Sequence, residues 1–135
     1  MEPQLNYLEV PGARGKFSVI RRIAWWDWNA TGREQPDQIV VCVHGLSRQA
    51  RDFDQLAKTL APHARVVCVD VAGRGHSDWL ADPADYQVPT YAADLAQLLG
   101  HLREGYCSAT GRPESGLTLD WVGTSMGGLI GMALA

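Results

Sequence analysis

Apolar residues along this chain follow two alternating rhythms. Ile39-Val40-Val41-Cys42-Val43 is a continuous run of the kind found in strands covered on both faces, the stretch from Arg65 to Val71 reads as a second buried strand, and Leu117 to Val122 is a β-like run that reads as a third parallel strand. Between them the apolar positions open to helical spacing. Phe53, Leu56, Ala57 and Leu60 share one face of a helix from about Ala50 to Leu60, with Pro62 just beyond it. Ala93, Leu95, Ala96, Leu98, Leu99 and Leu102 do the same from Thr90 to Glu104, with Thr90 as the cap. At the amino-terminal end, Leu5 to Val10 and Phe17 to Trp28 flank a Pro-Gly turn and predict an antiparallel hairpin on one sheet edge. Polar, turn-rich segments at 29–37, 73–89 and 105–116 are read as loops. No internal repeat or low-complexity tract interrupts this order. Strands alternating with helices predict an α/β fold, a mostly parallel doubly wound sheet with the antiparallel hairpin added, occupying 1–135 as part of one domain.

In such a sheet, ligands gather at the carboxyl ends of the strands, and three motifs fall there. His44-Gly45-Leu46 follows the first buried strand, Asp70 to Ser77 the second, and Gly123-Thr124-Ser125-Met126-Gly127 the third, ahead of a last apolar run from Gly128 to Ala135. The glycines two residues either side of Ser125 have a steric reason. A serine at the apex of a tight strand-to-helix turn brings strand and helix so close that side chains at those positions would collide. Such a turn aims a weak nucleophile at a substrate, and a base must still activate it. The glycines of Gly73-Arg74-Gly75-His76-Ser77-Asp78 make a poorer nucleotide-binding signal, with no third glycine and no helix start.

Composition narrows the function further. With 46% apolar and 20% charged residues and a net charge of −3 over 135 residues, the chain is globular and implies no polyanionic partner. Its arginines are scattered, without the basic stripe interleaved with aromatics that binds nucleic acid. Three cysteines, Cys42, Cys68 and Cys107, have no paired spacing and read as free thiols, and the four histidines lack zinc-site spacing, so no metal is expected. The start, Met1-Glu2-Pro3-Gln4-Leu5, has neither the basic nor the apolar region of a signal peptide, and no apolar run is long enough for a membrane span, so a cytoplasmic location is expected. The Asn29-Ala30-Thr31 sequon carries no weight without export.

From about residue 17 onward, the three motifs in order resemble the amino-terminal half of an α/β-hydrolase with a serine nucleophile, of the esterase type. The resemblance implies that Ser125 is the catalytic nucleophile and that the backbone N–H groups of Leu46 and Met126 form the oxyanion hole. His44, Gly45, Gly123 and Gly127 then support it, His44 structurally rather than as the base. It places His76 in a scaffold loop and gives Asp70 the task of organising that loop. Family partners follow in the order serine, acid, histidine, yet no acidic residue or histidine follows Ser125 here, so both are expected downstream. Further strands and a lid are expected there too, so the chain reads as truncated after the helix that follows Ser125, and as inactive by itself. Serine in place of aspartate at the turn argues against dehalogenases and epoxide hydrolases. Esterases, lipases, thioesterases, lactonases, C–C bond hydrolases, serine acyltransferases, cofactor-free haloperoxidases and proline-type aminopeptidases stay open. The reading is a serine hydrolase acting through an acyl-enzyme on a small-molecule, ester-like substrate, of carboxylesterase, thioesterase or lactonase type. The chemistry that the resemblance implies needs no cofactor. The alternative is a catalytically inactive binding module or fragment of the same fold.

Overall fold

Two helical layers enclose a five-stranded sheet in a computed structural model that describes residues 1–12 and 20–135. Strands β1 (Gln4–Pro11), β2 (Ile20–Trp28), β3 (Gln38–Val43), β4 (Arg65–Val69) and β5 (Thr118–Gly123) stand in the spatial order β1-β2-β4-β3-β5. β1 and β2 pair antiparallel from Gln4 opposite Asp27 to Pro11 opposite Ile20, the hairpin that their alternation predicts. Phe17 to Val19 of the expected second strand, and residues 13–16 of the turn before them, lie outside the described residues. β2 runs antiparallel to β4, and β4, β3 and β5 run parallel to one another. Sheet and helices therefore form the doubly wound α/β arrangement expected, with β1 and β5 at its edges.

The unbroken apolar runs arise because each central strand feeds two cores. Ile39, Val41 and Val43 of β3 and Val67 and Val69 of β4 pack with Leu95, Leu98 and Leu102 of α2 (Val88–Thr110) and Ile130 of α3 (Met126–Leu134). Val40, Cys42, Val66 and Cys68 point the other way, to Phe53 and Ala57 at and within α1 (Asp54–Leu60). A period of two with both faces covered gives a run rather than an alternation. Cys42 and Cys68, neighbours across β3 and β4, are buried free thiols; contact with the Cys42 sulfur and then burial push the Cys68 thiol up, so it stays protonated.

Three boundaries differ from the sequence reading. The helix expected from Ala50 opens with a 3-10 turn, Ala50–Phe53, before α1. α2 begins two residues earlier than expected, with Gln87 as cap and Pro89 in the first turn, where a missing N–H costs nothing. Thr90 is buried inside the helix rather than capping it. α2 also runs through Gly105 to Thr110, where a loop was expected. A lone helical glycine costs about 1 kcal/mol, and the next turn repays it, because buried Tyr106 donates a 2.7 Å hydrogen bond to Asp37 at the entry to β3. The true stop is Gly111, left-handed at φ 70°. Facing β2, Asp94 of α2 receives two hydrogen bonds from buried Arg21, at 2.9 and 3.1 Å. Burial pushes the Asp94 carboxyl up while Arg21 pulls it down, so the pair ties helix to hairpin more than it adds stability.

Candidate active site

The chain leaves β5 at Gly123 and enters α3 at Met126, turning within two residues. Ser125 sits at the apex with φ 52° and ψ −113°, the only non-glycine with positive φ among the described residues. A side chain held there costs on the order of 1–3 kcal/mol and persists only when its surroundings over-determine it. They do so through the backbone. Thr124 N–H donates to Val43 O at 3.1 Å, and the amides of Gly127 and Gly128 donate to the carbonyls of Thr124 and Ser125, both at 3.0 Å. The Trp121 indole N–H adds a 3.0 Å bond to Gly127 O. A Cβ on Gly123 would lie 2.5 Å from backbone atoms of Gly127 and Gly128, and one on Gly127 would strike the Val43 carbonyl and lie 3.0 Å from His44 O. The glycine spacing seen in the sequence is thus required by backbone contacts between β5, α3 and the end of β3.

The loop after β3 runs against this turn. A Cβ built on buried Gly45 would be 3.5 Å from Ser125 Cβ and from Thr124 O, so the two motifs, 80 residues apart in sequence, meet here. Ser125 is exposed, Met126 buried and the Leu46 side chain 65% exposed. Among the described residues, neither the Leu46 nor the Met126 amide donates to a backbone carbonyl. α3 opens at Met126, so the positive end of its dipole lies at the same turn.

His44 stands behind the loop and is 1% exposed. Its Nε2 accepts from Val71 N–H at 3.0 Å, which leaves the proton on Nδ1 to be donated to Gly45 O at 2.7 Å. Both ring nitrogens are engaged and burial lowers the ring's pKa, so His44 is a neutral brace between two loops. Asp70, also 1% exposed, accepts from Ala50 N–H at 2.8 Å, from His76 N–H at 3.1 Å and from the Trp26 indole at 3.4 Å. It organises its loop, as expected. Exposed His76 lies edge-on to the Trp26 ring. Ser77, to which the sequence reading gave no role, donates to Asp70 O at 2.5 Å and accepts from Ala24 N–H at 2.7 Å, clamping the loop to β2. Nothing local marks that role, because the donor, Ala24 of β2, lies 53 residues earlier in the chain. Among the described residues no three His, Cys, Asp or Glu side chains are grouped to hold a metal ion, and no helix is long and apolar enough to cross a membrane.

A serine on a strained strand-to-helix turn, facing a glycine loop at the carboxyl ends of a doubly wound sheet in this strand order, defines the architecture of the α/β-hydrolases. The chain belongs to the alpha/beta hydrolase family, whose model matches residues 40–135. It is 41% identical over 133 residues to a 3-hydroxybutyrate-oligomer hydrolase from Cupriavidus necator, covering 98% of this chain and 39% of that protein. It is 31% identical over 108 residues to a pimeloyl-[acyl-carrier protein] methyl ester esterase from Vibrio cholerae, covering 80% of this chain and 34% of that one. Among solved structures, an alpha/beta hydrolase from Novosphingobium aromaticivorans superposes with a TM-score of 0.73 at 34% identity, over 99% of this chain and 39% of the other. The chain therefore spans less than two fifths of the length of each of these relatives.

Proposed function

We propose that this chain carries the nucleophile and the oxyanion-binding backbone of a serine hydrolase that cleaves carboxylic esters through an acyl-enzyme. The observation that carries this reading is Ser125, exposed at φ 52°, with the facing loop so near that a Cβ on Gly45 would lie 3.5 Å from its Cβ. In the reaction, Ser125 Oγ bonds to the ester carbonyl carbon while its proton passes to a histidine base outside residues 1–135, oriented by an acidic partner. The carbonyl oxygen, now an oxyanion, is held by the Leu46 and Met126 amides. The alcohol then leaves with the proton from the base, and water cleaves the acyl-enzyme to release the acid and restore Ser125. Residues 1–135 are the amino-terminal part of one catalytic domain that needs no cofactor.

Two curated relatives bear on the substrate, one named for 3-hydroxybutyrate oligomers and one for a methyl ester. The higher identity lies with the first, so oligoesters of short hydroxy acids are the substrate class to test first. In the intact natural protein, Ser125→Ala lowers hydrolysis of a 3-hydroxybutyrate trimer and of p-nitrophenyl butyrate by about 10³-fold or more, and abolishes labelling by a fluorophosphonate probe. Full turnover by that variant overturns the reading. Intact protein that neither turns over nor takes the label is instead the inert binding module.

A further inference from the structure

The Leu46 N–H is useful to an oxyanion only if the peptides on both sides of Leu46 are held at a fixed angle, and the Leu46 side chain does not hold them, being 65% exposed. Nor does packing on the outer side of the loop. A cleft of about 330 Å³, lined by Ser47, Arg48, Gln49, Asp52, Arg74 and Gly75, opens there. The Gly45–Leu46 peptide, which carries the Leu46 N–H, is held at its carbonyl by His44 Nδ1 at 2.7 Å and by Arg48 N–H at 3.2 Å. The following peptide, Leu46–Ser47, is held by Arg74 of the cleft lining, whose Nε donates to Leu46 O at 3.0 Å.

Arg74 is itself fixed from behind. Its Nη1 donates to Ala72 O at 2.9 Å and to the Tyr91 hydroxyl at 3.0 Å. The guanidinium lies 5.2 Å from the Tyr91 ring centre and 5.8 Å from that of Tyr86. Tyr91 is 2% exposed in the first turns of α2, and the Tyr86 hydroxyl accepts from Leu80 N–H at 2.9 Å. A chain of hydrogen bonds thus runs from the helical core through Tyr91 and Arg74 to the Leu46 carbonyl, one residue from Gly45, where an added Cβ would lie 3.5 Å from Ser125 Cβ.

We infer that Arg74 is a positioning residue for the oxyanion loop, holding the Leu46 backbone at the angle that the transition state requires. This rests on the reading of Ser125 and Leu46 given above. Arginine suits the task because its planar fork reaches Leu46 O through Nε while Nη1 stays on α2 and on its own loop, a division that one lysine nitrogen cannot make. The contribution appears in the transition state, where charge on the oxygen is greatest, and hardly in substrate binding.

The test uses the intact protein with p-nitrophenyl butyrate, a trifluoromethyl ketone that adds to the serine as an oxyanion, and the matching carbinol that cannot. Arg74→Met lowers kcat by about 10- to 100-fold with KM nearly unchanged, and weakens the ketone by the same factor while leaving the carbinol's affinity alone. Arg74→Lys recovers part of both losses. Tyr91→Phe, which removes only the hydroxyl behind Arg74 and keeps the ring, lowers kcat and ketone affinity together by about 2- to 5-fold, and gives the answer should Arg74→Met not fold. Unchanged kcat in Arg74→Met, or a lower kcat with undiminished ketone affinity, overturns the inference about Arg74. Ser125→Ala run in parallel separates the two readings, since turnover surviving that change sinks the assignment of the site itself.

Discussion

The turn at Ser125 and the loops that face it are built by different means. The turn is backbone against backbone, with Gly123 and Gly127 clearing the space and amides from Thr124 to Gly128 closing it. The facing loops, 44–49 and 70–78, are held by side chains reaching across to backbone. His44 braces Val71, Asp70 holds Ala50 and His76, Ser77 holds Ala24 and Arg74 holds Leu46. One wall of the site is shaped by the absence of side chains, the other by a few buried or half-buried polar ones. A geometry made by absence admits no substitute, whereas a geometry made by tethers weakens one bond at a time.

The largest effect that sharpens this contrast is expected at Gly127→Ala. The added methyl meets the Val43 carbonyl, which cannot yield without parting β3 from the turn, so destabilisation of about 4 kcal/mol or more is expected in denaturant unfolding of the intact protein. A melting temperature unchanged within error shows that the turn has room the structure denies. Next comes Asp70→Ala, which strips the acceptor from two backbone amides and an indole and costs about 3 kcal/mol. If the contrast holds, that variant keeps Ser125 reactive to fluorophosphonate while its loops exchange amide hydrogens faster, whereas Gly127→Ala loses both fold and reactivity.

The smallest effect is a pH dependence. Burial lowers the His44 pKa from its ordinary 6.5, so the folded protein favours the neutral ring. A group depressed in this way takes up its proton more readily in the unfolded chain, so its stabilising share is complete above about pH 6.5 and is lost as the pH falls below that value. His44→Gln removes the titration, and the stability gap between wild type and variant therefore narrows between pH 7.5 and 5.5 in urea unfolding. A constant gap means that the ring is not held neutral.

The same contrast explains what could be read from the chain alone. β3 and β4 appear as apolar runs because both of their faces are covered, whereas edge strand β5 has an exposed face and carries Asp120; the glycine spacing of the turn is legible as a short local pattern. The brace at Ser77 and the reach of Arg74 were illegible, because their partners are 53 and 28 residues away and neither residue type is unusual in a polar loop. The course of α2 past Gly105 was hidden for the same reason. Its justification is Tyr106 bonding to Asp37, 69 residues earlier, and local propensity at a glycine yields to that distant contact.

The thiols of this chain form two populations. Cys107 is partly accessible near the end of α2, whereas Cys42 and Cys68 lie side by side at the centre of the sheet, wholly shielded by the packing of α1. An alkylating reagent can mark the first in the native protein, but reaches the other two only when α1 lifts from the sheet. Within residues 1–135, mass spectrometry of a timed alkylation thus resolves one label that tracks surface exposure and a second and third that arrive together, and the rate of that paired arrival is a clock for the lifting of α1 from the strands on which the Leu46 loop is mounted.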